Sequence, residues 1–138
     1  DGIYAINVIE HIEDDIGALR RLAREHMAPG ARLVVYVPAF ELLYSSNDAL
    51  VGHVRRYTRA GLERSVRLAG FQEIESRYVD SLGVAAALSF KAFGADSGHI
   101  TARQVSIYDR LLFPLSVGLD RFFSAHFGKN LWLSATRP

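Results

Sequence analysis

The chain has no cysteine among its 138 residues. That excludes a disulfide framework, a thiolate nucleophile and a cysteine-ligated zinc site, and is compatible with a cytoplasmic enzyme. Neither sign of charge is in excess: 16 Lys and Arg stand against 15 Asp and Glu, a formal net charge of +1. Binding nucleic acid by neutralising phosphates needs clustered basic residues, and with a net charge near zero and only the pair Arg55 and Arg56 locally suggestive, no nucleic-acid partner is expected. A membrane-spanning run is also missing. The most apolar stretch, Leu82 to Gly94 (LGVAAALSFKAFG), is too short and is interrupted by Lys91. There is no basic n-region of a signal peptide, no internal repeat and no low-complexity tract. The chain opens inside what reads as a strand, so a first half is expected to precede it.

What is present is ordinary globular material, 49% hydrophobic and 22% charged, enough for one core and hence one domain or part of one over residues 1–138. In the opening stretch DGIYAINVIEHIEDDI, Ile3, Tyr4, Ala5, Ile6, Val8 and Ile9 make a nearly continuous apolar run, closed by Glu10, His11, Glu13, Asp14 and Asp15. Such a run predicts a strand buried on both faces of a parallel sheet covered by helices. Asp14 or Asp15 is placed to cap the following helix, Asp15 to Met27, which turns Ile16, Leu19, Leu22, Ala23 and Met27 to one side and stops at Ala28-Pro29-Gly30. Ala31 to Val37 (ARLVVYV) predicts a second strand, parallel to the first. Thr58 is placed to cap a helix reaching Ala69, with Leu62, Val66 and Ala69 inward and Gly70 as its stop. Phe71 to Asp80 reads as a third strand and Leu131 to Ala135 as a last one, able to pair antiparallel across the helical excursion Leu82 to Phe127. In that excursion Ile107, Leu111, Leu115, Leu119 and Phe122 recur on one side, and Pro114 is expected to kink or divide the longer helix.

In open α/β sheets ligands bind beyond the carboxyl ends of the strands, which here deliver Asn7 to His11. The connection Pro38 to Tyr57 (PAFELLYSSNDALVGHVRRY) leaves from the same edge and is long enough to be functional. The two segments are expected to share a pocket.

In this order and these residues the chain resembles the C-terminal half of a class I S-adenosylmethionine-dependent methyltransferase, of the type that modifies small molecules or lipids. DGIYAINVIEHIEDD is similar to the family's fourth-strand motif, LAREHMAPGARLVVYVPA to its next helix and strand, and GHVRRYTRAGLERSVRLAGF to the segment leading into its last helix. The resemblance implies an α/β, Rossmann-like methyltransferase fold of which this is the C-terminal half only: two parallel strands, an antiparallel terminal pair, and a helical insertion or cap at 82–127. It implies S-adenosylmethionine as cofactor, with Asn7 and Val8 beside its methionine part, and a small-molecule or lipid-like acceptor. The family's glycine-rich loop and its acidic ribose ligand do not occur here. The missing N-terminal half of the same domain is expected to supply them, and the fragment alone is expected to be inactive.

His11 suits proton acceptance from a hydroxyl or amine near neutrality, whereas it and Glu10 would equally well hydrogen-bond the facing loop. His53, Arg55, Arg56 and Tyr57 are candidates for holding an anionic acceptor, since guanidinium forks suit carboxylate and phosphate; the alternative is that they anchor the loop to the next helix. Tyr44, like Phe40, lines the pocket or packs it. Glu10, His11 and His53 would together offer metal ligands, but their spacing matches no standard pattern and no metal is expected. Phe90, Phe93, Phe113, Phe122, Phe123 and Phe127 are expected to pack as core rather than form a lid, with peripheral membrane contact through 82–127 as the alternative. His99 and His126 are expected to face solvent. Two rival functions stay open: a nicotinamide-dependent Rossmann reductase, and a non-catalytic module that docks on a membrane or a partner.

Overall fold

The computed structural model describes residues 1–93 and 102–138. Its strands, β1 (Gly2–Ile6), β2 (Arg32–Pro38), β3 (Gln72–Val79) and β4 (Asn130–Thr136), form one sheet in the order β1-β2-β4-β3. β1 and β2 run parallel, with Ile3 opposite Leu33 and Ala5 opposite Val35; β4 runs antiparallel between β2 and β3. The antiparallel closing pair thus forms despite the long excursion between its members, as the strand pattern predicts.

Helices α1 (Asp15–His26) and α3 (Arg59–Leu68) cover one face of the sheet. Leu33, Val35 and Val37 of β2 and Leu131, Leu133 and Ala135 of β4 alternate onto that face and are sealed by Leu19, Ala23, Leu62 and Val66. Each large aliphatic side chain buried there stabilises the fold by about 1.5–3 kcal/mol. The helix starts follow the expected chemistry: Asp14 accepts from Gly17 N–H at 2.9 Å, and Thr58 accepts from Gly61 N–H at 3.1 Å. Gly70, directly after the C-cap of α3, takes a left-handed φ of 103°, whereas α1 stops at His26 with Met27 extended, and Gly30, at φ 79°, forms the turn into β2 instead of ending the helix as expected.

One expectation fails at β1, which is not buried on both faces. Tyr4 is 75% and Ile6 55% exposed, because β1 is an edge strand and α1 and α3 lie over the opposite face, where Ala5 points. An apolar run reads the same in sequence whether its second face is covered or bare.

Between β3 and β4 the chain makes α4 (Ser81–Phe93), α5 (Ala102–Ile107), a π-helical turn at Tyr108–Leu112 and α6 (Phe113–Phe123). Pro114 sits in the first turn of α6, where its missing N–H is tolerated, so the long helix is divided by the π turn rather than broken. A polar clasp fixes this cap to the sheet. Asp120 accepts from Asp80 N–H at 2.8 Å and Ser81 N–H at 2.9 Å, Ser116 Oγ accepts from Leu82 N–H at 3.1 Å, and Tyr108 donates its hydroxyl to Asp80. Burial, with Asp80 and Asp120 nearby, pushes the Tyr36 hydroxyl up to about 12.

Because the docking is polar, the apolar stripe of the cap faces outward. Leu111, Leu115, Phe113, Phe122, Phe123 and Phe127 are exposed, which corrects the expectation that these phenylalanines pack as core. The side chains of Phe90 and Phe93, and all of His99, lie outside the described residues, while His126 is exposed as expected. No described helix is long and apolar enough to cross a membrane.

Gly128 lets the chain entering β4 lie against β3. A Cβ there would stand 2.5 Å from Val79 O and 2.7 Å from Val79 N, both backbone atoms. Gly128→Ala is expected to lower unfolding free energy by about 1–3 kcal/mol, the usual range for overpacking, measured by urea denaturation. Parental stability in this variant would contradict the close approach.

Candidate active site

β1 ends in a sharp turn. Asn7 takes φ 50°, a left-handed conformation that Asn tolerates better than most residues, and its N–H donates to Tyr36 O at 2.8 Å, tying the tip of β1 to β2. Asn7 and Val8 are exposed; the 3-10 turn Ile9–His11 then buries Ile9 and Glu10 and leaves His11 at the surface.

The 38–57 connection starts from the neighbouring strand tip. Phe40 has a left-handed φ of 58°, an outlier for so bulky a residue, and its ring stacks on Tyr78 at 4.9 Å. A 3-10 turn (Glu41–Leu43) and α2 (Ser46–Val51) fold the connection back until Tyr57 bridges to Ala39. On the way it meets the end of β1: Val54 N–H donates to Glu10 O at 2.9 Å, and His11 Nδ1 lies 3.1 Å from Gly52 O. The His11 and His53 rings sit edge to face with centroids 4.7 Å apart.

Asp48, fully buried, holds this loop together. Its carboxylate accepts from Ser45 N–H (2.9 Å), Ser45 Oγ (3.0 Å) and His53 Nδ1 (2.7 Å), and takes both Nε (2.9 Å) and Nη2 (3.0 Å) of Arg56 as a two-pronged ion pair. Burial alone would raise its carboxyl, but the hydrogen bonds from Arg56, His53 and Ser45 outweigh burial and hold it below the ordinary value. Glu10 is the opposite case. It is 0% exposed, neither carboxylate oxygen has a hydrogen-bond partner among the described residues, and His53 Nε2 lies 3.8 Å from Oε1. Burial raises its carboxyl, with the nearby His53 and His11 only partly offsetting that.

The other candidates are anchored within the protein. Arg56 is nearly buried on Asp48 and also reaches Ala39 O at 3.3 Å. Tyr57 donates its hydroxyl to Asp15 at 2.9 Å, which together with burial raises it above the usual tyrosine range. Arg55, about a third exposed, lies 3.3 Å from Asp15 and donates to Glu13 O at 2.7 Å. Tyr44 donates to His53 O at 2.7 Å. Beside them Phe40, Leu42, Leu43, Val84 and Leu88 line an apolar groove of about 210 Å³ between the connection and α4. Sequence reasoning missed Asp48 as the hub and read Asp15 as a cap alone. The capping-box spacing Ser45-x-x-Asp48 was the available signal.

No protein-family model and no curated protein matches the chain. Solved structures do match. A Thermotoga maritima S-adenosylmethionine-dependent methyltransferase aligns with all of the chain at TM-score 0.59 and 14% identity, over 56% of its own length. A Haloferax volcanii methyltransferase, solved with the Trm112 methyltransferase activator, gives 0.57 and 16%, covering 100% of this chain and 54% of that one. The fold is that of the S-adenosylmethionine-dependent methyltransferases. Phosphoethanolamine N-methyltransferase 2 of Haemonchus contortus, in complex with S-adenosylmethionine, matches at TM-score 0.54 and 16% identity, covering 99% of this chain and 33% of that one. The chain therefore spans about half, or less, of these methyltransferases, and what it shares with them is the fold.

The Asp48 cluster gives a prediction with a sign. A carboxyl held below its ordinary 3.8 contributes stability that is present in full above about pH 4 and fades as pH falls through the lowered value. Asp48→Asn leaves Arg56 and His53 without their anion and is expected to cost about 3 kcal/mol at pH 7, with the gap to the parent narrowing by pH 3. Denaturant titrations at both pH values check this; an unchanged gap contradicts it.

Proposed function

We propose that the chain is the acceptor-side half of a cytoplasmic S-adenosylmethionine-dependent methyltransferase acting on a small-molecule or lipid-like acceptor. The observation that carries this reading is the convergence at one sheet edge. The exposed Asn7–His11 turn meets the 38–57 connection at the carboxyl ends of two parallel strands, where such sheets bind ligands. The antiparallel strand β4 between β2 and β3 favours it over a nicotinamide-dependent reductase, whose dinucleotide-binding sheet is mostly parallel.

The residues present fit one end of the donor. Asn7 and Val8, exposed at the tip of β1, would lie against its methionine part, whereas a glycine loop and a ribose ligand do not occur in this sequence and would have to come from a donor-binding half outside it. That half would cover the bare Tyr4 and Ile6 face and the free edge of β1. The donor, when bound, supplies an electrophilic methyl on sulfonium. This chain's residues orient the acceptor, exclude water from it and take its proton. His11 Nδ1 meets a carbonyl, which only accepts, so Nδ1 carries the hydrogen and Nε2 of the neutral ring keeps the lone pair for the acceptor's hydroxyl or amine. Glu10, Tyr44, His53, Arg55, Arg56 and Tyr57 shape the acceptor side. The Phe40–Leu88 groove suits an apolar portion of the acceptor, and the exposed stripe on α6 suits contact with a lipid surface.

The test uses a polypeptide carrying this chain together with its donor-binding half. His11→Ala is expected to lower turnover about 10²–10⁴-fold while leaving donor affinity in calorimetry unchanged. Asn7→Gly, which keeps the left-handed turn, is expected to weaken donor binding about tenfold, the value of one lost hydrogen bond. If neither change alters binding or turnover, the assignment of these residues is wrong.

A further inference from the structure

The 41 residues between His11 and His53, which hide Glu10, His11 and His53 from any spacing rule, are looped out by the fold, which brings one ligand atom from each within 4.8 Å of the others. We propose that these three residues form a His₂Glu site for a first-row divalent cation, zinc being the ion whose preferences they match.

Three observations independent of the methyl-transfer reading support it. The donor set, two imidazoles and a carboxylate, is one that zinc takes in sites with an open position. Both rings are pre-set as ligands: His53 Nδ1 donates to Asp48 at 2.7 Å and His11 Nδ1 donates to Gly52 O at 3.1 Å, leaving Nε2 of each neutral ring with its lone pair. Partners of this kind, a carboxylate and a backbone carbonyl, are what fix the tautomer of metal-bound histidines. Finally, Glu10 is buried with both oxygens unpartnered among the described residues, and a cation between it and the two rings would supply the missing partner for its charged form. Ligands at zinc stand about 3.3 Å apart, so donors up to 4.8 Å apart must close by as much as about 1.5 Å, and His11, the exposed member, has the most room to move. Three protein ligands would leave the fourth tetrahedral position of zinc for water or an acceptor oxygen, with His11 the exposed member of the set. With the ion in place, that oxygen is polarised by the metal rather than deprotonated by His11 directly.

The test is a Co²⁺ titration of the metal-stripped protein, read by visible d–d absorption, followed by displacement with Zn²⁺. One ion per chain is expected. Glu10→Gln, His11→Ala and His53→Ala should each weaken binding at least tenfold, and His26→Ala, at the surface pair with Glu25, should change nothing. Circular dichroism identifies any variant that fails to fold; His11, being exposed, decides the matter if buried Glu10 does not tolerate change. Absence of stoichiometric binding, or binding indifferent to His11→Ala and His53→Ala, overturns the proposal. Because the absorption reports ligands and not turnover, its failure is separable from failure of the methyl-transfer reading.

Discussion

The loop over the sheet edge depends on one buried anion. Asp48 gathers Ser45, His53 and Arg56, residues that span the second half of the connection, into one hydrogen-bonded knot. Without it Ser45, His53 and Arg56 would lose their shared partner, and the segment from Phe40 to Tyr57 would keep only its contacts with the β1 turn, with the start of α1 and with the strand ends to offset the entropy of ordering its backbone. With it, His53 is fixed in position and tautomer, and the Glu10–His11 turn has a firm surface to meet. The neighbouring contact of Tyr57 with Asp15 adds a second buried hydroxyl–carboxylate pair and ties the connection to the start of α1. Polar groups buried this way are favourable only when every partner is in place, and around Asp48 they are.

The helices and strands were legible because their signals are local. The apolar stripe of α1, Thr58 ahead of α3, and Gly70 behind it all act within a few residues, and each is found where its chemistry puts it. The meeting of the Asn7–His11 turn with the 38–57 connection followed from one topological rule about strand ends. What the sequence could not convey was commitment. Arg56 and Tyr57 read equally well as recognition groups or as anchors of the loop, and only the folded chain brings Asp48 and Asp15 against them. The same holds for burial: Tyr4, Ile6 and Phe122 are apolar wherever they lie, and nothing in their spacing tells a covered face from a bare one.

The molecule is accordingly two-sided. Its α1–α3 face is closed, with Leu33, Val35, Leu62, Val66, Leu131 and Leu133 sealed from water. The opposite side is held by a polar clasp at Asp80 and Asp120, and it presents aromatic and aliphatic side chains outward on the cap and along β1. A chain that concentrates its stability on one face and its chemistry along one edge leaves the remaining surface available for other structure.

The bare rim of β1 has a consequence for handling the molecule. Among the described residues nothing pairs with the outer edge of Gly2–Ile6, and its N–H and C=O groups, beside the uncovered Tyr4 and Ile6, are a template on which a second copy can add its own strand. An exposed apolar edge of this kind is a hazard for edge-to-edge association, and a lysine at position 4 or 6 is the simplest way to blunt it.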